Sequence, residues 1–259
     1  MTQEVKKYYG FPEDRIIEVD VPHFDKYIDI PTPQANAEYL QSLALDSDKP
    51  YLFFGMSAPV YCPHEIDIVE WIAREVNKGT FGDIQLVVRP HPQNVQGDMA
   101  DSTWLPRLDN MQSARVAVDY PILEQSQLDW NMHQHDLIKL VNLIAGCAVS
   151  LNSGSTLAIE SLIHHKPVIL TYFDAEFDIP WYKSIVRGSH YIHMKKFIEL
   201  SGAKVASSFA QLETCIQDAL ANPNLDDDKR AYALRQECGI CDGKASFRAA
   251  EALTKILKH

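Results

Sequence analysis

The clearest signal along the chain is a series of short apolar runs separated by stretches with helical spacing. Tyr51–Gly55 reads YLFFG, Ile84–Val88 reads IQLVV and Cys147–Leu151 reads CAVSL. Runs this short and this uniformly apolar are typical of strands buried on both faces. Arg115–Val118 is a weaker run of the same kind, and Pro167–Tyr172 is a further one. Between the first two, Pro63–Asn77 places Ile66, Val69, Ile72, Ala73 and Val76 at helical intervals. Asp136–Ala145 and Thr156–His164 are further helical stretches. Strands alternating with helices predict an α/β fold, a Rossmann-like, doubly wound parallel sheet.

The flanks are less regular. Arg15–Asp20 (RIIEVD) reads as a short strand, and Gln34–Leu45 as one helix after the breaks at Pro22, Pro31 and Pro33. The C-terminal third is predicted to be mainly helical. One is capped by Ser207 or Ser208 and runs to Ala221, where Asn222-Pro223 ends it. Asp226–Glu237 and Ser246–Lys258 follow. The run Asp226-Asp227-Asp228 suits a helix start, where carboxylates meet the positive end of the helix dipole.

Composition narrows the class. A chain of 259 residues with 46% hydrophobic and 23% charged residues can bury a sizeable core. No apolar run reaches the roughly 18 residues of a membrane span, and the N-terminus has no apolar signal segment, so a cytoplasmic location is expected. The net charge is −11 and no basic stripe is visible, which argues against a nucleic-acid partner. Any phosphate bound by so acidic a chain must be held by a few well-placed cations. The five scattered cysteines read as free thiols, and Cys238-x-x-Cys241 lacks the second pair that a zinc site wants.

In open parallel sheets, ligands bind beyond the carboxyl ends of the strands, so the residues just after each strand carry the candidate chemistry. Asn152-Ser153-Gly154-Ser155-Thr156 leads from a strand into a helix. Its small residues allow close backbone approach, the first helical N–H groups point outward, and Ser153, Ser155 and Thr156 add hydroxyls. This suits a diphosphate, although a plain capped turn would use the same residues. Glu160, one turn on, could accept hydrogen bonds from ribose hydroxyls. Arg89-Pro90-His91-Pro92 follows another strand. Its prolines stiffen the backbone, so Arg89 and His91 are expected to face a phosphate or a leaving-group oxygen. Gly55-Met56-Ser57 either offers backbone N–H groups to a ligand or closes against a partner domain. The loop Tyr120–Asp136, with Trp130, His133 and His135, could reach a nucleobase, and no ligand cluster for a metal accompanies its histidines. No GxGxxG, GxxxxGK[ST] or GxSxG motif occurs, so simple dinucleotide, P-loop and serine-hydrolase sites are not indicated.

Several segments together carry a resemblance. GFPEDRIIEVDVPHFDKY, RPHP, NSGSTLAIESLIHHKPVIL and the late DGKASFR (Asp242–Arg248) resemble the C-terminal half of bacterial capsule and surface-polysaccharide glycosyltransferases of the GT-B type. The chain is also similar to the CDP-glycerol glycerophosphotransferases and the UDP-N-acetylglucosamine 2-epimerases. The resemblance implies one Rossmann-like half of a GT-B fold, with residues 1–50 a hinge-like segment and residues 51–259 the nucleotide-sugar-binding domain. It implies a UDP-, CDP- or CMP-linked donor as substrate, no separate cofactor and no metal. Ser153–Thr156 would bind phosphate, Glu160 the ribose, and Arg89 and His91 the phosphates or the departing nucleotide. The acceptor side would come from an N-terminal acceptor domain or a partner chain, and the assembly could sit against inner-membrane polysaccharide machinery. The resemblance leaves two other functions open: a sugar-nucleotide epimerase domain and a non-catalytic nucleotide-binding module.

Overall fold

A computed structural model describes residues 2–96, 100–124 and 132–258. Helices α1 (Thr2–Tyr9), α2 (Asp25–Asp29) and α3 (Pro33–Ser42) precede strand β1 (Tyr51–Gly55). There follow α4 (Glu65–Lys78), β2 (Gln85–Arg89), α5 (Pro92–Val95), α6 (Trp104–Met111), β3 (Val116–Val118) and α7 (Gln134–Gly146). The chain continues through β4 (Val149–Asn152), α8 (Leu157–Ile163), β5 (Val168–Thr171), α9 (Ile192–Glu199) and β6 (Lys204–Ala206). It ends with α10 (Phe209–Ala221), α11 (Asp227–Cys238) and α12 (Ala245–Leu257).

The six strands form one sheet in the order β3-β2-β1-β4-β5-β6, and every pairing is parallel. The expected Rossmann-like sheet is therefore present. Alternation within its strands explains why both faces are covered. Leu52 and Phe54 of β1 join Ile66, Ile72, Trp104 and Leu212 on one side. Tyr51 and Phe53 join Leu40, Leu143 and Ile144 on the other. Successive strand residues point to opposite faces, so five consecutive buried residues supply two cores at once.

The order reverses between β1 and β4, which opens a crevice beyond their carboxyl ends. Close packing narrows it there. A Cβ built on Gly55 would stand 2.1 Å from Leu157 Cδ1, so the glycine lets α8 lie against the end of β1.

Two expectations are corrected. Arg15–Asp20 forms no strand; Arg15 ends a short 3-10 turn, residues 16–20 have no regular structure, and Asp20 pairs with Arg248 at 2.5 Å. The C-terminal third also contains the edge strand β6, three residues running from exposed Lys204 to buried Ala206, too short to carry an apolar signature. Cys238 lies buried with Phe24, Tyr27 and Ile163, and Cys241 packs against this cluster.

The first 50 residues are tied to the rest by specific bonds. Asn36 Nδ2 donates to the Asn142 carbonyl at 3.0 Å. Asp25 accepts the N–H groups of Ala245 at 2.9 Å and Ser246 at 2.7 Å, so a residue of α2 caps α12. Removing a helix cap costs about 1 kcal/mol. Asp25→Ala is therefore expected to lower unfolding stability by about that amount in a urea titration; no change would mean that this cap does not hold α12 in solution.

Candidate functional site

The turn after β4 is shaped by Asn152. Its side chain is fully buried, and Oδ1 accepts the N–H groups of Gly154 and Ser155, both at 2.9 Å. Gly154 takes φ +87°, and a Cβ there would meet the Tyr172 hydroxyl at 2.2 Å, so only glycine fits. Ser155 Oγ accepts the Leu157 N–H at 3.3 Å. These bonds change the expected picture of the cradle. The amides of Gly154, Ser155 and Leu157 are already paired within the turn, Ser153 Oγ pairs with Thr171 Oγ1 at 2.8 Å and the Thr156 hydroxyl donates to Glu160, so of the three hydroxyls Ser155 is the one whose proton is uncommitted. Asn152 lines neither of the cavities described below; it builds the turn from behind.

Glu160 lies 6% exposed on α8. Its Oε2 accepts the Tyr27 hydroxyl at 2.8 Å and its Oε1 accepts the Thr156 hydroxyl at 3.2 Å. Burial raises the pKa of its carboxyl, and the two hydroxyl donors oppose that rise. Each carboxylate oxygen has two lone pairs, so both can still accept a ligand hydroxyl. Tyr27 comes from the N-terminal segment, and no spacing along the sequence links it to Glu160.

Arg89 is placed differently from expectation. It is 3% exposed, and its guanidinium pairs with Asp119 at 2.5 Å and with Asp136. Lys139 also pairs with Asp119. The charge expected to meet a phosphate is thus neutralised inside the protein, and a buried cation demands such partners. The signal available in the sequence was the position of Asp119 directly after β3 and of Asp136 in the first turn of α7, both beside the end of β2. Arg89 lines the larger cavity with its charge already paired.

His91 stands at the crevice. Its Nδ1 accepts the Gln93 N–H at 3.1 Å, so in the neutral ring Nε2 carries the proton and is free to donate. Burial lowers its basicity, which favours the neutral ring. Ser57 is held by Glu65, whose Oε2 accepts the Ser57 N–H at 2.7 Å, and its carbonyl accepts Asn94 Nδ2 at 3.1 Å.

Two adjoining cavities open along this edge. The larger, about 560 Å³, is lined by Lys26, Tyr27, Arg89, His91, Thr156 and Glu160, among others. The smaller, about 270 Å³, is lined by Ser57, His91, Ser153, Gly154 and Ser155 together with Tyr172 and Arg187. His91 and Ser155 belong to both walls. The fold thus gathers most of the residues read from the sequence; Gly55 serves packing and Asn152 serves the turn. Tyr27, Lys26, Tyr172 and Arg187 join them without a sequence signal. His133 caps α7, its Nδ1 accepting the His135 N–H at 3.2 Å, and Trp130 lies outside the described residues. Among the described residues, no group of three His, Cys, Asp or Glu side chains could hold a metal ion, and no helix is long and apolar enough to cross a membrane.

No protein-family model matches the chain, and no curated protein matches it. Solved structures do. The wall teichoic acid polymerase TagF aligns over 99% of this chain and 56% of its own, with TM-score 0.56 and 16% identity. S. aureus MnaA in complex with UDP aligns over 96% and 57%, with TM-score 0.56 and 15% identity. A UDP-N-acetylglucosamine 2-epimerase aligns over 97% and 54%, with TM-score 0.55 and 17% identity. The chain therefore shares the fold of these proteins, as the resemblance implied, and spans little more than half the length of each.

Two outcomes follow from the buried charges. Arg89→Ala leaves Asp119 and Asp136 short of their cation, and stability is expected to fall by about 3–5 kcal/mol in chemical unfolding; a loss under about 1 kcal/mol contradicts the pairing described. Burial pushes the Glu65 carboxyl up to about 8, whereas an unfolded glutamate titrates near ~4.3. Across that window the folded chain keeps a proton that the unfolded chain releases, so stability falls as pH rises and levels off above it. Unfolding at pH 5 and pH 8 should show a smaller drop for Glu65→Gln than for the wild type; equal drops refute a buried, protonated Glu65.

Proposed function

We propose that the crevice binds a nucleotide-activated donor, and that residues 51–259, with residues 1–50 as a hinge-like segment, form the donor half of a GT-B-type glycosyltransferase acting in surface-polysaccharide synthesis. The observation that carries this is the pair of cavities meeting at His91 and Ser155, with Glu160 in the wall of the larger. A nucleoside fits the larger cavity, its ribose hydroxyls on Glu160. The diphosphate then passes between the hydroxyl-bearing turn and the Nε2–H of His91. A UDP-, CDP- or CMP-linked donor meets this description.

Within this reading, the chain's own residues stabilise the departing nucleotide. His91 donates a hydrogen bond as a neutral group, and Ser155, on the same wall, adds its hydroxyl. Donors held in place before charge develops on a leaving oxygen need no reorganisation as it forms. The acceptor, and any base that activates it, come from a domain or partner chain facing the crevice. The shared fold with MnaA and the 2-epimerase supports a second reading, a sugar-nucleotide epimerase domain, which would use the same nucleotide site. Product analysis of the assembled enzyme with a UDP-sugar alone separates the two: epimerised sugar supports the epimerase, and an unchanged donor supports transfer.

Calorimetry with UDP, CDP and CMP tests the nucleotide site. At least one is expected to bind at sub-millimolar concentration. A hydrogen bond to a charged group contributes about 1.5–3 kcal/mol, so Glu160→Ala should weaken binding roughly 10- to 100-fold, with Glu160→Gln intermediate. The reading fails if none of the three binds at millimolar concentration.

A further inference from the structure

The smaller cavity differs in charge from its surroundings. Its wall carries Arg187, His91 and His193 and neither aspartate nor glutamate, in a chain of net charge −11. The larger cavity is lined by Glu124 and Glu160 as well as by cations. An acid-free wall in so acidic a chain marks a place where negative charge is left for a ligand to bring.

Arg187 is presented on a fixed turn, Ile185–His190. Ser184 donates to Asp174, the Ile185 N–H donates to Asp174 Oδ1 at 3.2 Å, and the Val186 N–H donates to Ser184 Oγ at 3.0 Å. Gly188 brings the turn against Tyr172, where a Cβ would stand 3.0 Å from the ring. The Arg187 side chain is half-buried and gives one hydrogen bond, from Nη1 to the Tyr182 carbonyl at 2.6 Å. A guanidinium has five N–H groups in a rigid fork that matches carboxylate and phosphate oxygens, so the greater part of its donor capacity remains. Asp174, the acid of this turn, has both oxygens engaged by Ser184 and Ile185.

A second group points the same way. Tyr172 is 2% exposed and lines the same cavity, and its buried hydroxyl, beside Gly154, has no hydrogen-bond partner in the protein. A buried hydroxyl without a partner costs about 1–3 kcal/mol. An acceptor oxygen in this cavity would take its proton and remove that cost. Tyr172 and Arg187 approach from different elements, the end of β5 and the turn before α9, so the two observations are independent.

We propose that the smaller cavity receives the group carried beyond the donor's diphosphate, and that this group bears an anionic charge of its own, a carboxylate or a phosphate, recognised by Arg187 and Tyr172. The inference rests on the nucleotide reading above. With the nucleoside beside Glu160 and the diphosphate at His91 and Ser155, the group on the far phosphate extends towards Arg187. A neutral sugar there would leave the guanidinium without a counter-charge.

Calorimetry with UDP, UDP-glucose, UDP-glucuronate and UTP tests it, UDP-glucuronate supplying the carboxylate and UTP the extra phosphate. The wild type is expected to bind at least one of the charged ligands about 10-fold or more tightly than UDP-glucose. Which one is preferred tells carboxylate from phosphate. Arg187→Gln should erase that margin while leaving the affinity for UDP within about twofold, Arg187→Lys should keep part of it, and Tyr172→Phe should reduce it. Equal affinity for all three extended ligands overturns the proposal. So does an Arg187→Gln variant that loses UDP as strongly as the others, because Arg187 would then be a diphosphate ligand. If UDP, CDP and CMP all fail to bind, the nucleotide reading itself falls and this inference falls with it; binding of UDP without a charge preference overturns this inference alone.

Discussion

A buried positive charge must be neutralised where it lies, and the pairing of Arg89 with Asp119 and Asp136 is the constraint around which this crevice is organised. It joins the end of β2, the end of β3 and the first turn of α7 at one point. Lys139 adds a second cation on Asp119. Because the three backbones are locked together behind it, the short Pro90-His91-Pro92 segment has little freedom, and the His91 ring is set by its own bond to Gln93. Taking either carboxylate away would leave a charge stranded in a medium that cannot solvate it.

The same logic runs outward from that point. Behind and within the wall, the protein engages its own polar groups: Asn152 Oδ1 in the turn that it builds, Glu65 Oε2 with Ser57, and Glu160 with Tyr27 and Thr156. In front of it, hydroxyls, a neutral imidazole and one incompletely used guanidinium face the crevice. An acidic chain thus presents a donor-rich surface at one edge of its sheet, and its carboxylates are kept out of the smaller cavity altogether.

The central fold was readable from residue pattern because YLFFG and IQLVV are too apolar and too short to be anything but doubly buried strands, and Asn152–Thr156 is too small and polar to be anything but a turn. Ile16 and Ile17 misled because strand propensity is realised only in a sheet, and this segment pairs with none of the six strands. Arg89 misled in the opposite way. Its place beside the crevice was legible, but whether its charge stayed free depended on Asp119 and Asp136, which lie 30 and 47 residues away. Tyr27, Tyr172 and Arg187 could not be found by spacing at all, since only the fold brings them to the crevice.

That dependence has a consequence for how the molecule comes together. The sheet is made from neighbours in space that are moderate distances apart along the chain, but the wall beside Glu160 is closed by a bond across 133 residues, and α2 is tied to α12 across 220. Ordering a longer loop costs more chain entropy, and such contacts form after shorter-range ones have narrowed the search. A chain emerging from its synthesis can lay down β1 to β5 and the Asn152 turn before its last helix exists. The anchor for the segment that bears Tyr27 arrives only with Ala245 and Ser246. The larger cavity is in this sense a late product of folding, completed when the two ends of the chain meet.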